Sequence, residues 1–242
     1  MSNLQFEQVY APKSLDDFIY PSDKAEAAIR SLVPEPGVSF SKLPPVLLYG
    51  GYGGGKTSLL KILPYAIDPN FQEPNRHFIK ATTRKNLVEV IDGIQRFAQT
   101  VAIGGGLKAV CIDEADNLDD KIQQSLKATM TALIGKVEVL FILTTNYMQR
   151  MDGGLLSRSV KVNMDQRDPE RFLPRMREIL SKEGVAVLPN DWLLPVAEMA
   201  GTDIRELYRH MERLVDALRE QVSTPSPPKP RRGLTLLNQP VS

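Results

Sequence analysis

The sequence is poor in several things that would have narrowed its class at once. It has one cysteine, Cys111, in 242 residues, so no disulfide can close within the chain, the cysteine usage expected of an intracellular protein. Charge of one sign is not in excess: 30 Lys and Arg against 29 Asp and Glu leave a net charge of +1. That balance does not announce a nucleic-acid binder, although local basic patches are compatible with it. No uninterrupted apolar run approaches the roughly 20 residues of a membrane span. The N-terminal stretch MSNLQFEQVYAPKS lacks the apolar core of a secretory signal. There is no internal repeat. These absences predict a cytosolic protein with no membrane partner.

What is present is an ordinary globular composition, 42% hydrophobic and 24% charged in 27.0 kDa, enough for one large domain or two modest ones. The chain opens with an extended stretch, 8-QVYAPKSLDDFIYP-21. A helical segment comes next over 22–33, with Ser22 as its N-cap and Pro34 to Gly37 as its stop. PVLLY at 45–49 reads as a buried parallel strand, followed by a helix over about 56–66. Further strands are expected at 77–81, 108–113, 137–146 and 158–164. Helices are expected from near Thr82, with Val88, Ile91 and Phe97 on the apolar face, and over 119–134. Strand and helix alternate, which argues for a parallel sheet with helices on both faces. After Asp165 come helical stretches at 168–182, 191–199 and 203–222, the last with Ile204, Leu207, Met211, Leu214, Val215 and Leu218 at helical spacing. The expected organisation is an α/β nucleotide-binding domain over 1–165, a small all-helical lid over 166–222 and a Pro-rich, polar tail over 223–242.

The stretch 48-LYGGYGGGKTSLL-60 meets the pattern G-x-x-x-x-G-K-[ST] with Gly50, Gly55, Lys56 and Thr57. Glycines let backbone N–H groups turn inward around phosphates, lysine reaches the β and γ oxygens, and the threonine hydroxyl ligates Mg²⁺. A strand before and a helix after supply the context a chance glycine turn would lack. The run 109-AVCIDEAD-116 supplies the acidic partner: Asp113 to hold magnesium through water, Glu114 as general base toward the attacking water. Its letters also suggest a DEAD-box helicase, but such an enzyme needs a second motor domain for which this chain has no room. The apolar strand 139-VLFILTTN-146 ends in Asn146, placed to orient a water opposite the γ-phosphate.

In that order, these elements resemble an AAA+ ATPase, and within that family the clamp-loader group: the small subunits of replication factor C and the bacteriophage clamp-loader ATPase subunit. The resemblance covers about residues 8–218. It is carried by 9-VYAPKSLDDFI-19, 113-DEADNLDDKIQQSLKATM-130, 155-LLSRS-159 and the lid stretch 183-EGVAVLPNDWLLPVAEMAGTDIRELYRHMERL-214. It implies a P-loop AAA+ fold, ATP with Mg²⁺, and a nucleotide site of Val9, Tyr10, Gly50, Gly51, Gly53, Gly54, Gly55, Lys56, Thr57 and Ser58. It also implies that Arg158 is an arginine finger inserted into a neighbouring subunit's site, and that Arg205 is a lid sensor of the γ-phosphate.

Partners implied are other copies or homologous AAA+ subunits in a ring or spiral, DNA of primer-template or duplex form read without sequence preference, and a sliding clamp as client. The DNA candidates are Thr82, Thr83, Arg84 and Lys85 after the second strand, and Lys121 at the start of a helix. The implied localisation is the cytosol of a phage's host or a bacterium, associated with the nucleoid. The residues after the lid stretch are too few for the group's third helical domain, the collar, so the expectation is either a truncated chain or a protein that assembles without one. The chain carries Gly51-Tyr52 where a proline is usual and Ser159 where cysteine is common. The competing readings are a helicase loader or branch-migration motor, and a non-catalytic nucleotide-binding scaffold that recruits a partner through 234-LTLLNQ-239.

Overall fold

The computed structural model describes residues 5–35, 37–81, 86–165 and 168–223. Among them five parallel strands form one sheet: β1 (Val46–Tyr49), β2 (Arg76–Lys80), β3 (Lys108–Asp113), β4 (Val139–Thr145) and β5 (Val160–Asn163), in the order β2-β3-β4-β1-β5. The central strands β3 and β4 are buried at every position. Covered on both faces, they can be apolar runs without alternation, which is why they read as strands from composition alone.

Helices α1 (Phe6–Val9) and α2 (Asp23–Arg30) precede the sheet, and α3 (Lys56–Ile67), α4 (Leu87–Gln99), α5 (Asp120–Leu133) and α6 (Gly153–Arg158) lie between strands. One face of the sheet packs Leu48, Ala109 and Ile142 against Leu59, Leu60 and Leu63 of α3 and Ile29 of α2. The other packs Leu47, Val110, Ile112 and Phe141 against α4 and α5. Ser22 caps α2 by accepting from the Ala25 N–H at 3.2 Å, as its position before the helix anticipates.

Helices α7 (Leu173–Lys182), α8 (Asn190–Ala200) and α9 (Ile204–Ser223) come after the sheet, with a core of their own. Leu207, Met211 and Val215 of α9 are fully buried there, each contributing about 1.5–3 kcal/mol by leaving water. Tyr10 belongs to this core too. Its carbonyl accepts from Tyr208 Oη at 2.8 Å and Arg175 Nη2 at 2.6 Å, and its hydroxyl donates to Glu183 at 2.5 Å. Burial and the Glu183 carboxylate push the Tyr10 phenol up to about 12.

Three local expectations differ from the structure. The chain start is not extended throughout, because α1 forms one turn and packs against α9. Helix α4 starts at Leu87 with Asn86 as its cap, accepting from Val88 N–H at 3.0 Å; Thr82 to Lys85 lie outside the described residues. Its buried face is Val90, Ile94 and Ala98, while Val88 is exposed and Ile91 and Phe97 sit at the margin of the core. At about 3.6 residues per turn, Val88 falls well to the side of the stripe set by Val90, Ile94 and Ala98, which Ile91 and Phe97 flank.

Candidate functional site

Parallel strands leave a sheet on the same side, so the segments after β1, β3 and β4 are brought together at one edge. The registers Tyr49↔Thr145 and Ile112↔Leu143 set the three tips side by side, with β4 in the middle. From β1 comes the glycine loop, from β3 the acidic pair, from β4 Asn146. They line one cleft of about 490 Å³, whose other walls are the N-terminal segment and the start of α9.

The loop between β1 and α3 needs glycine for two different reasons. Gly53, at φ 73°, is in the left-handed region, and a Cβ there would overlap the Asp203 carboxylate. Gly50, at φ 139°, has no room because Asp165 Oδ1 would lie 2.6 Å from a Cβ. The Asp165 carboxylate also accepts from the Gly51 N–H. Lys56, the first residue of α3, is buried, and its Nζ donates to the carbonyls of Gly50 at 2.7 Å and Gly51 at 2.5 Å. Burial holds its pKa below the usual lysine value, against the pull of Asp165, Asp113 and Asp116.

The Thr57 hydroxyl lies 3.0 and 3.1 Å from the two carboxylate oxygens of Asp113. The Asp113 carboxylate accepts again from Thr144 Oγ1 at 2.7 Å, and that hydroxyl accepts from the Glu114 N–H at 2.9 Å. Thr144 therefore ties the tip of β4 to both acids. Glu114 takes φ 58°, the positive-φ non-glycine residue among those described, a backbone costing about 1–3 kcal/mol that surrounding bonds must hold. Asn117 Nδ2 reaches its carboxylate at 3.4 Å. Asn146 is set by its own N–H, which donates to buried Asp116 at 3.1 Å.

Gly53, Gly54, Gly55, Ser58 and Arg205 also line the cleft. Arg205 Nε pairs with Glu7 of α1 at 3.3 Å, and the adjoining Ile204 N–H donates to the Gly53 carbonyl at 3.1 Å, fastening α9 to the glycine loop. Val9 and Tyr10 are not among the lining residues. Val9 is exposed and Tyr10 is turned into the helical core, while their neighbours Gln8, Ala11 and Pro12, with Phe18 and Ile19, form that wall. Arg158 ends α6 in solvent, away from the cleft, with Nη1 on the Gly154 carbonyl at 2.9 Å. Lys121 is exposed in the first turn of α5, where the capping Asp119 and Asp120 oppose the anion attraction of the helix end.

Sequence reasoning missed Thr144, Asp116, Asp165 and Asp203. Thr144 and Asp116 carried a readable signal, polar side chains at or beside the tips of buried strands. Asp165 and Asp203 meet the glycine loop only through the fold.

The donor set fits a magnesium nucleotide. Mg²⁺ is held by one or two carboxylates plus substrate phosphates rather than by an all-protein cage. Thr57 with Asp113, beside a buried lysine and glycines that tolerate no Cβ, offers that arrangement.

Comparison with known proteins agrees with this geometry. Residues 46–165 match the family "ATPase family associated with various cellular activities (AAA)". The chain is 28% identical over 213 residues to replication factor C small subunit 2 of Pyrobaculum aerophilum, covering 88% of this chain and 64% of that one. It is 27% identical over 189 residues to replication factor C subunit 3 of Saccharomyces cerevisiae, covering 78% and 53%. The chain thus spans about half to two thirds of the length of these relatives. Among solved structures it is similar in fold to the Thermotoga maritima RuvB Holliday junction branch migration motor, with a TM-score of 0.69 at 19% identity over 90% of this chain and 68% of that one. Domain III of the Thermotoga maritima replication initiation protein DnaA superposes with a TM-score of 0.59 at 21% identity, covering 88% and 92%. Residues 46–165 thus match the AAA ATPase family, the chain has the AAA+ fold, and it is similar over most of its length to the small subunits of replication factor C.

Proposed function

We propose that this chain is a DNA-dependent ATPase that works as a subunit of an oligomer, in the manner of a sliding-clamp loader in DNA replication. The observation that carries the reading is one cleft lined by Lys56, Thr57, Asp113, Glu114, Asn146 and Arg205. The relatives named replication factor C point it toward clamp loading.

ATP is the substrate, with the base between Gln8, Pro12 and Ile19 and the triphosphate along the glycine loop. Lys56 Nζ binds the β and γ oxygens, giving up its carbonyl partners. Thr57 and Asp113 would hold Mg²⁺, which would supply positive charge to stabilise the phosphate oxygens during hydrolysis. The Asn146 amide orients a water. Its oxygen attacks the γ-phosphorus, the bond to the bridging β–γ oxygen breaks with its electron pair staying on ADP, and Glu114 accepts the water's proton. Thr144 keeps Asp113 and Glu114 in their places. Arg205 reads the γ-phosphate from the lid once it leaves Glu7, an exposed pair worth at most about 1 kcal/mol.

Arg158 belongs to the next subunit's site. Supplied in trans, it makes hydrolysis conditional on assembly, and DNA held by the assembly sets the alignment. The test is turnover of the purified chain with and without primed DNA. Turnover raised by DNA supports the reading; none under either condition sinks it, and stimulation by four-way junctions alone favours a branch-migration motor instead.

A further inference from the structure

The glycine loop carries one large side chain that hydrolysis, as assigned to Lys56, Thr57, Glu114 and Asn146, leaves unused. Tyr52 is 61% exposed, yet it lines the same cleft as Lys56, Glu114 and Asn146. A ring left in water within a loop otherwise built of glycine is not there to fill a core. It meets the ring of Tyr147 edge to face, centroids 6.3 Å apart at 77°, with the two hydroxyls 3.4 Å apart. Tyr147 is the residue directly after Asn146. The Arg150 guanidinium also stands over the Tyr147 ring, 4.4 Å from its centroid.

We propose that Tyr52 is a positioning residue: resting on Tyr147, it clasps the loop that carries Asn146 to the phosphate loop and holds the Asn146 amide in place over the γ-phosphate. This rests on the reading of Asn146 as the group that orients the attacking water.

Upstream, Asn146 is anchored firmly. Thr145 is registered against Tyr49 of β1, and the Asn146 N–H is bonded to Asp116. Downstream the chain leaves the sheet for a short 3₁₀ turn, Met148–Arg150. Tyr147, in contact with both Tyr52 and Arg150, fixes that side. The ring contact carries the clasp more than the hydroxyls do, because 3.4 Å is long for an O–H···O bond while the edge-to-face geometry is the favoured one. The clasp spans the two lips of the cleft, so it ties the position of Asn146 to the position of the phosphates. Positioning of this kind has leverage: displacing a reacting group by about 1 Å costs on the order of 100-fold in rate.

The test exploits the exposure of Tyr52, since a surface substitution there leaves stability nearly untouched. Tyr52→Ala is expected to lower hydrolytic turnover about tenfold, with ATP affinity within about twofold of the parent and an unchanged Tm. Tyr52→Phe, which keeps the ring, is expected to stay within about twofold of the parent. In an Asn146→Ala background, Tyr52→Ala adds no further loss, because the group it positions is gone. Unchanged turnover in Tyr52→Ala, a loss that tracks ATP affinity, or losses that multiply with Asn146→Ala would overturn the clasp. A parent without turnover would defeat the ATPase reading instead. The clasp is then judged by the side-chain amide resonance of Asn146 in the isotope-labelled chain, expected to shift and broaden in Tyr52→Ala. An unaltered resonance contradicts it.

Discussion

Asp113 sits 6% exposed at a strand tip with the hydroxyls of Thr57 and Thr144 on its carboxylate, whereas Arg158 stands in solvent at the end of a six-residue helix, bonded to a carbonyl one turn back in that same helix. The first is held by two segments far from it in sequence, through charge-assisted bonds in a protected place. The second is held by its own helix, through one bond that water replaces at little cost. The groups assigned to the nucleotide in the proposed function are preorganised within the chain. In the proposed function, the cation kept outside the cleft on a short helix acts on a neighbouring copy. Under that proposal, the difference separates what one copy does alone from what it does in company.

The sharpest way to break this comparison is at Arg158. Arg158→Ala is expected to lower DNA-stimulated turnover by about 10³-fold while the single chain binds ATP as before, measured by nucleotide titration beside steady-state hydrolysis. Loss of ATP affinity in the isolated mutant chain would place Arg158 with the internal residues. Next in size, Glu114→Gln is expected to reduce turnover about 10²-fold with ATP binding kept and the assembled state accumulating on gel filtration. Full hydrolysis in that variant would remove Glu114 as the base.

Thr144→Val sharpens the internal half. Asp113 and the Glu114 N–H each lose a buried partner, so stability falls by about 1–3 kcal/mol in urea titration and turnover by about tenfold. A variant as stable and active as the parent would make the Thr144 bridge incidental.

The smallest effect concerns Lys56. Its pKa is lowered by burial, so the native chain gives up this proton more readily than the unfolded chain does. Between the lowered native pKa and the ordinary lysine value the unfolded state binds more protons, and native stability rises with pH there. Without nucleotide, Lys56→Met is therefore expected to raise the Tm at neutral pH by a few degrees, on the order of 1 kcal/mol, because an apolar group replaces a buried charge. The gain should shrink as pH climbs through that window. A gain that grows with pH, or a loss of stability at pH 7, contradicts the assignment.

How far the sequence foretold all this depends on distance along the chain. Lys56 and Thr57 stand next to the glycines that identify them, Asp113 and Glu114 end an apolar run, and Asn146 ends another. Their meeting comes from parallel strands sharing an edge, a rule of topology that needs no coordinates. Thr144 was within reach but looked like one more strand residue, since its value lies in bonding two acids on the neighbouring strand. Asp165 and Asp203 were out of reach: they contact Gly51 and Gly53 from more than a hundred residues away, and no local pattern marks them. Val88 and Tyr10 failed for a different reason. Val88 is apolar without lying on the stripe of Val90, Ile94 and Ala98 that the core covers, and a tyrosine beside a cleft can as readily anchor the opposite core.

The central claim, that a neighbouring copy completes each site, is tested most directly by mixing two inactive variants. Arg158→Ala keeps a binding site without a finger to lend, and Lys56→Ala keeps the finger without a site. The account predicts that mixtures on primed DNA recover part of the parent's turnover, with a maximum at intermediate ratios. No recovery at any ratio, in mixtures shown by light scattering to assemble, would contradict it.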